Sequence, residues 1–114
     1  MSDHTFRINK VNYHMHITGA GLPLVLLHGF TGSTESWASH RPSFAAHYET
    51  ISIDLLGHGQ TDAPKDPKRY DMAHAAADVI GLLDANGWEQ VHLLGYSMGG
   101  RLALHIAAHY TSRL

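Results

Sequence analysis

Apolar and polar residues alternate along the first part of the chain. Val11, Tyr13, Met15 and Ile17 share one parity, and Asn12, His14, His16 and Thr18 share the other. Period two predicts a strand with one buried and one wet face. Phe6 and Ile8, interleaved with Thr5, Arg7 and Asn9, predict a strand before it, so residues 4–18 read as a hairpin. After the turn Gly19-Ala20-Gly21 comes an unbroken apolar run, Leu24 to Leu27. Such a run bounded by turn residues predicts a strand covered on both faces, as in a parallel sheet.

The pattern then changes period. Residues 36–47 read as a helix with a weak point at Pro42, and 50–54 as a strand followed by a long polar loop. Asp71 is placed to cap a helix over Met72–Ala85, where Ala76, Val79, Ile80 and Leu83 recur at helical spacing and Asn86-Gly87 supplies a left-handed stop. Residues 91–95 predict a buried parallel strand, and Met98–Tyr110 a last helix. The order is a hairpin followed by β-α-β-α-β-α. That order predicts an α/β fold with a mainly parallel sheet and helices on both faces.

Composition narrows the function classes. Eight Lys and Arg against ten Asp and Glu leave a net charge of −2, without the basic excess that a nucleic-acid or anionic membrane surface needs. There is no cysteine, which excludes disulfides and thiolate metal sites. No apolar run approaches the ~20 residues of a membrane-spanning helix. The polar start MSDHTFRINK has no apolar signal core. A cytoplasmic setting is expected, with no nucleic-acid or membrane partner and no cofactor.

Three motifs carry chemistry. Gly95-Tyr96-Ser97-Met98-Gly99 matches G-x-S-x-G and falls between a predicted strand and a predicted helix. That context makes Ser97 a candidate catalytic serine on a sharp, strained turn at a helix N-terminus. His28-Gly29-Phe30 follows the first covered strand. An oxyanion hole built from the residue after the serine and the loop after the third strand assigns the backbone N–H groups of Met98 and Phe30. His28 itself reads equally as part of that site or as a strand-end histidine satisfied locally. In Asp54-Leu55-Leu56-Gly57-His58-Gly59-Gln60-Thr61, Asp54 and Thr61 are expected to organise the loop by local side-chain bonds rather than to act as acids.

These motifs, in this order and spacing, resemble the N-terminal part of the α/β-hydrolase fold over essentially the whole chain. More narrowly, HGFTGS, IDLLGHGQTDAP and GYSMGGRLAL resemble the 2-succinyl-6-hydroxy-2,4-cyclohexadiene-1-carboxylate synthases of menaquinone biosynthesis. The resemblance implies a lyase that eliminates pyruvate from a small anionic cyclohexene carboxylate, with the serine of a Ser-Asp-His triad acting chiefly as a base. It also implies substrate-binding roles for Arg101, matching an elbow-adjacent arginine, and for Tyr96, matching a pocket tyrosine. Arg101 has separate physical interest. A cation in the first turn of a helix opposes the helix dipole, which a carboxylate clamp would justify. A surface arginine paired to a nearby acid is the plainer alternative.

The family order is serine, then acid, then histidine. The 17 residues after Ser97 contain no acid, and His105 and His109 continue along the last helix. The expectation is therefore that residues 1–114 form the N-terminal part of one domain, inactive in this form, with an open sheet edge at residues 91–95. An ester hydrolase and a non-catalytic fragment remain as alternatives. His14 with His16, and His105 with His109, have spacings that can bind metal but no third ligand at a motif distance. They read as solvent-facing pairs, and no metal site is expected.

Overall fold

A computed structural model describes residues 2–114. The elements are β1 (Ser2–Ile8), β2 (Val11–Thr18), β3 (Leu22–Leu27), α1 (Arg41–Ala45), β4 (Tyr48–Ile53), α2 (Met72–Ala85), β5 (His92–Gly95) and α3 (Met98–His109). Short 3-10 turns occupy Thr34–Trp37, Pro67–Tyr70 and Thr111–Arg113. The five strands form one sheet in the order β1-β2-β4-β3-β5. β1 pairs with β2, and β2 with β4, antiparallel. β3 lies parallel to both β4 and β5.

Side-chain parity sorts the two faces. Val11, Tyr13, Met15, Val25, Leu27, Ile51 and Ile53 form one core with Ala76, Val79 and Leu83 of α2 and Leu102 and Ile106 of α3. Fully burying a side chain such as Ile106 contributes about 1.5–3 kcal/mol, which is what holds α3 against the sheet. On the other parity Leu26, Thr50 and Ser52 are buried as well, with α1 packed against β4. The central strands are thus covered on both faces, as an unbroken apolar run requires.

Three expectations are corrected. The helix over 36–47 is two pieces, a 3-10 turn ending at Trp37 and α1 starting at Arg41. Pro42 lacks an N–H and fixes φ, so it is tolerated only in a first turn, and it makes the helix begin there. The second parity of β2 is not wet: His14 is 5% exposed. The segment carrying Thr34 and α1 packs against the neighbouring strand β4, and His14 is covered where its ring and the Thr34 N–H meet on Asp54. Residues 91–95 are not uniformly buried either. β5 is the sheet edge, and Leu94 is 37% exposed. The caps of α2 are as expected: Asp71 accepts from the His74 N–H at 2.7 Å, and Gly87 has φ +73°.

Candidate active site

Ser97 stands between the end of β5 and the start of α3 with φ 54° and ψ −113°. A non-glycine residue there is strained by about 1–3 kcal/mol and persists only where its surroundings over-determine it. Those surroundings are visible. The Tyr96 N–H donates to the Leu27 carbonyl at 3.0 Å, extending the β3–β5 ladder past Gly95. The Arg101 N–H donates to the Ser97 carbonyl at 3.0 Å, closing the first turn of α3. Gly99 lies so close to the end of β3 that a β-carbon there would strike the carbonyl oxygens of Leu27 and His28. Helix and strand ends are pressed together, and the serine between them is exposed and caps nothing.

The same approach brings the loop after β3 to the serine. A β-carbon built on Gly29 would sit 3.4 Å from Ser97 Cβ. The next residue is Phe30, whose backbone N–H has no hydrogen-bond partner among the described residues. The Met98 N–H, first in α3, has none either. Two free backbone donors therefore flank Ser97, beside the positive end of a 12-residue helix.

His28 is the brace at the start of this loop. The Leu55 N–H donates to its Nε2 at 2.9 Å, so Nε2 accepts and the ring proton is on Nδ1. Nδ1 donates in turn to the Gly29 carbonyl at 2.7 Å. Burial, at 0% exposure, holds the ring below the usual histidine pKa and keeps it neutral. Both nitrogens are committed to backbone, so local satisfaction is the correct one of its two readings.

The far end of the loop is tied to Asp54. The Thr34 N–H donates to Asp54 Oδ1 at 2.7 Å and the Gln60 N–H to Oδ2 at 2.9 Å. Thr61 Oγ1 donates to the Asp54 carbonyl at 2.6 Å and accepts from the His14 N–H at 2.9 Å. Asp54 and Thr61 do organise the D-x-x-G-H-G loop, and Asp54 reaches the neighbouring loop too. The His14 ring beside Asp54, at 2.7 Å, is invisible to local patterning because its partner is 40 positions away.

Two cavities open at this end of the sheet. One of about 550 Å³ lies beneath Phe30, Met98 and Leu102, with Leu55, Leu56 and Met72 among its walls. Its lining is mainly apolar. The other, of about 590 Å³, lies between Tyr96, Trp37 and His40. Phe30, 72% exposed, borders both. Of the five residues singled out from sequence, Phe30, Met98 and Tyr96 line these cavities, and Ser97 stands beside Gly29 between them without lining either. Arg101 is exposed one turn along α3, lines neither cavity, and has no carboxylate within ion-pair distance among the described residues.

Below the first cavity lies a polar cluster that sequence reasoning missed. Asp78 of α2, 1% exposed, accepts from Tyr13 Oη at 2.6 Å, Asn9 Nδ2 at 2.8 Å and Arg69 at 2.7 Å. Burial and the neighbouring carboxylate push the Tyr13 phenol pKa upward, so it stays a donor. The one available signal was its i,i+4 relation to Leu82, which puts Asp78 on the apolar side of α2. The His105 and His109 rings stack with centroids 4.2 Å apart. Among the described residues no three His, Cys, Asp or Glu are grouped to hold a metal ion, and no helix is long and apolar enough to cross a membrane.

Comparison with known proteins agrees with this architecture. A family model described as the alpha/beta hydrolase fold matches residues 23–114. Over 91 residues the chain is 44% identical to a Bacillus subtilis protein named as a 2-succinyl-6-hydroxy-2,4-cyclohexadiene-1-carboxylate synthase, covering 80% of this chain and 33% of that one. It is 36% identical over 112 residues to epoxide hydrolase 2 of Siraitia grosvenorii, covering 96% and 35% of the two chains. The crystal structure of an epoxide hydrolase from Vigna radiata superposes with a TM-score of 0.95 at 25% identity, over 99% of this chain and 37% of that one. The chain spans about a third of the length of the curated relatives it matches.

Proposed function

The chain belongs to the α/β-hydrolase family, and from that premise we propose that it carries the nucleophile elbow and oxyanion hole of a lyase that eliminates pyruvate from a small anionic cyclohexene carboxylate. The observation that carries the reading is the exposed, strained Ser97 between the unpartnered N–H groups of Phe30 and Met98. The similarity to the Bacillus subtilis synthase supports the choice of reaction.

The chemistry follows from that arrangement. Removing a proton from a carbon next to a carbonyl drives negative charge onto the carbonyl oxygen. Two preorganised N–H donors stabilise that charge as it forms, and losing one such donor costs about 10²–10³ in rate. Ser97 is a weak base until an imidazole takes its proton and an acid fixes that imidazole. His28 is excluded from the role because both its nitrogens are bonded to backbone. His105 and His109 lie along α3, directed away down the helix from its first residue. The proposed enzyme takes its imidazole and acid from the remainder of a family-length domain, of which this chain spans about a third; His58 and His40, which border the two cavities, are the histidines of this chain that would compete for the role. Tyr96, which lines the second cavity, is assigned to the substrate pocket, and Arg101 on α3 to a substrate carboxylate.

A serine ester hydrolase is the second reading. It is favoured by the mainly apolar wall beneath Phe30. One experiment separates the two. The chain is extended with the remainder of a family-length domain and assayed for pyruvate release from the cyclohexene carboxylate and for hydrolysis of a neutral ester. The lyase reading expects pyruvate release that is abolished in Ser97→Ala. It also expects Arg101→Ala to weaken that turnover by roughly 10- to 150-fold, the worth of a charged hydrogen bond, while the ester is little affected. Ester hydrolysis without pyruvate release would replace it with the second reading. The 114-residue chain itself is expected to take up no fluorophosphonate at Ser97; stoichiometric labelling would mean that one of its own histidines activates the serine.

A further inference from the structure

The face of the sheet opposite α2 and α3 holds a charged cluster with no role in the proposed chemistry. His14 Nδ1 lies 2.7 Å from Asp54 Oδ2, and His14 Nε2 lies 3.0 Å from Asp3 Oδ1. A carboxylate oxygen accepts and does not donate, so each ring nitrogen donates, and the ring holds both protons while both contacts exist. Asp54 is 1% exposed and His14 5%, whereas the Asp3 side chain is 65% exposed. The other charged or titratable groups that act on this cluster include Arg41 of α1, Glu35 of the turn before it, His16 of β2 itself and the neutral His28 beside Asp54. The His14 hydrogen bond is the leading cause that holds the Asp3 carboxyl below its usual pKa.

We propose that His14 is a positioning residue for the oxyanion loop. As a cation between Asp3 and Asp54 it balances and orients the buried Asp54 carboxylate, whose remaining contacts pin the amides of Thr34 and Gln60. This rests on the reading of the Phe30 N–H as an oxyanion donor. The direction of the Phe30 amide is set by the turn over residues 29–32, closed by the Gly32 N–H on the Gly29 carbonyl at 3.0 Å, and that turn is held in place by the loop's two ends. His28 fixes one end through Leu55 and Gly29, and Asp54 Oδ1 fixes the other through Thr34. Oδ2 is shared between the Gln60 N–H and the His14 ring. Removing the ring leaves a buried anion held only by the Thr34 and Gln60 amides, so the loss is felt first at those two bonds.

The test begins on the 114-residue chain. Nitrogen-15 spectra of the His14 ring should show both nitrogens protonated; a ring with one bare nitrogen overturns the proposal without any variant. In His14→Leu, hydrogen-exchange protection at Thr34 and Gln60 should fall about 10-fold or more beyond any fall at Val79 of α2, the effect of losing a charged hydrogen bond. An equal fall at all three means a general loss of stability and overturns it. Asp3→Asn keeps the bond from Nδ1 to Asp54, so it should leave Thr34 protection within about twofold; a collapse there also overturns it. If His14→Leu does not fold, the wild-type ring spectrum and Asp3→Asn decide. In a chain extended to family length, no fluorophosphonate labelling of the parent rejects the serine reading and leaves the ring spectrum standing. Labelling of His14→Leu at the parent rate rejects the positioning role alone.

Discussion

Replacing His28 with leucine tests whether this histidine is a neutral brace. The imidazole makes two bonds, from the Leu55 N–H at 2.9 Å and to the Gly29 carbonyl at 2.7 Å. Gly29 borders the second cavity, so water can replace its lost donor. The Leu55 N–H is inside, and a buried donor left without an acceptor costs about 1–3 kcal/mol. That is the expected loss in His28→Leu at neutral pH. The loss should depend on pH in one direction. Burial holds the folded His28 below its ordinary value of 6.5. As pH falls through that value the unfolded chain takes up a proton that the folded one refuses. Wild-type stability from this group then falls, with a slope of at most about 1.4 kcal/mol per pH unit, and levels off below the folded pKa. Above the unfolded pKa it is flat. The leucine variant has no such proton, so its deficit should shrink as the solution is acidified. His16, also held low by burial, is present in both proteins and cancels in the difference. Urea unfolding followed by the fluorescence of Trp37 and Trp88, from pH 8 to about pH 5, measures it. A deficit that stays constant with pH, or is absent at neutral pH, would refute the neutral-brace account.

Two other perturbations follow from the packing. Asp78→Ala leaves the Tyr13 hydroxyl and the Arg69 guanidinium without their carboxylate, at a cost of about 3–5 kcal/mol, comparable to the whole stability of a small domain. Far-ultraviolet circular dichroism should show most of the fold lost at room temperature, and a variant with the parent's urea midpoint would contradict the role given to Asp78. Gly99→Ala drives a methyl group into the Leu27 and His28 carbonyls, an overpacking worth about 1–3 kcal/mol. Its thermal midpoint should drop, and an unchanged midpoint would mean that the elbow is looser than described.

What could be read from the chain divides by distance along it. The elbow was legible because its requirements are local: five residues, a strand before and a helix after. β1 and β2 were legible from period two, β3 from an unbroken apolar run between turns, and α2 from apolar residues at helical spacing. α1 was misjudged because a single proline decided where it starts, and periodicity carries no weight over five residues. His14 was assigned to a wet face because alternation reports one covered face and is silent about a distant segment folding onto the other. Its partners Asp3 and Asp54 lie 11 and 40 positions away. Asp78 was missed for the same reason, with Tyr13 65 positions off. Arg101 was singled out by its place in the motif; it is exposed on α3 and lines neither cavity, and its role as a carboxylate clamp belongs to the proposed function.

The order of the strands has a consequence of its own. The chain leaves β3, crosses by way of α1 to β4 on one side, then returns past β3 by way of α2 to β5 on the other. Successive connections depart to opposite faces, so the polypeptide parts at the carboxyl end of β3 and leaves a crevice there whatever side chains surround it. Ligands of open α/β sheets settle at such a reversal of winding. The location of the site is therefore a property of the winding, while its reaction is a property of the few residues set around the crevice. That separation accounts for relatives that are similar to this chain and yet are named as a cyclohexadiene carboxylate synthase in one case and an epoxide hydrolase in another.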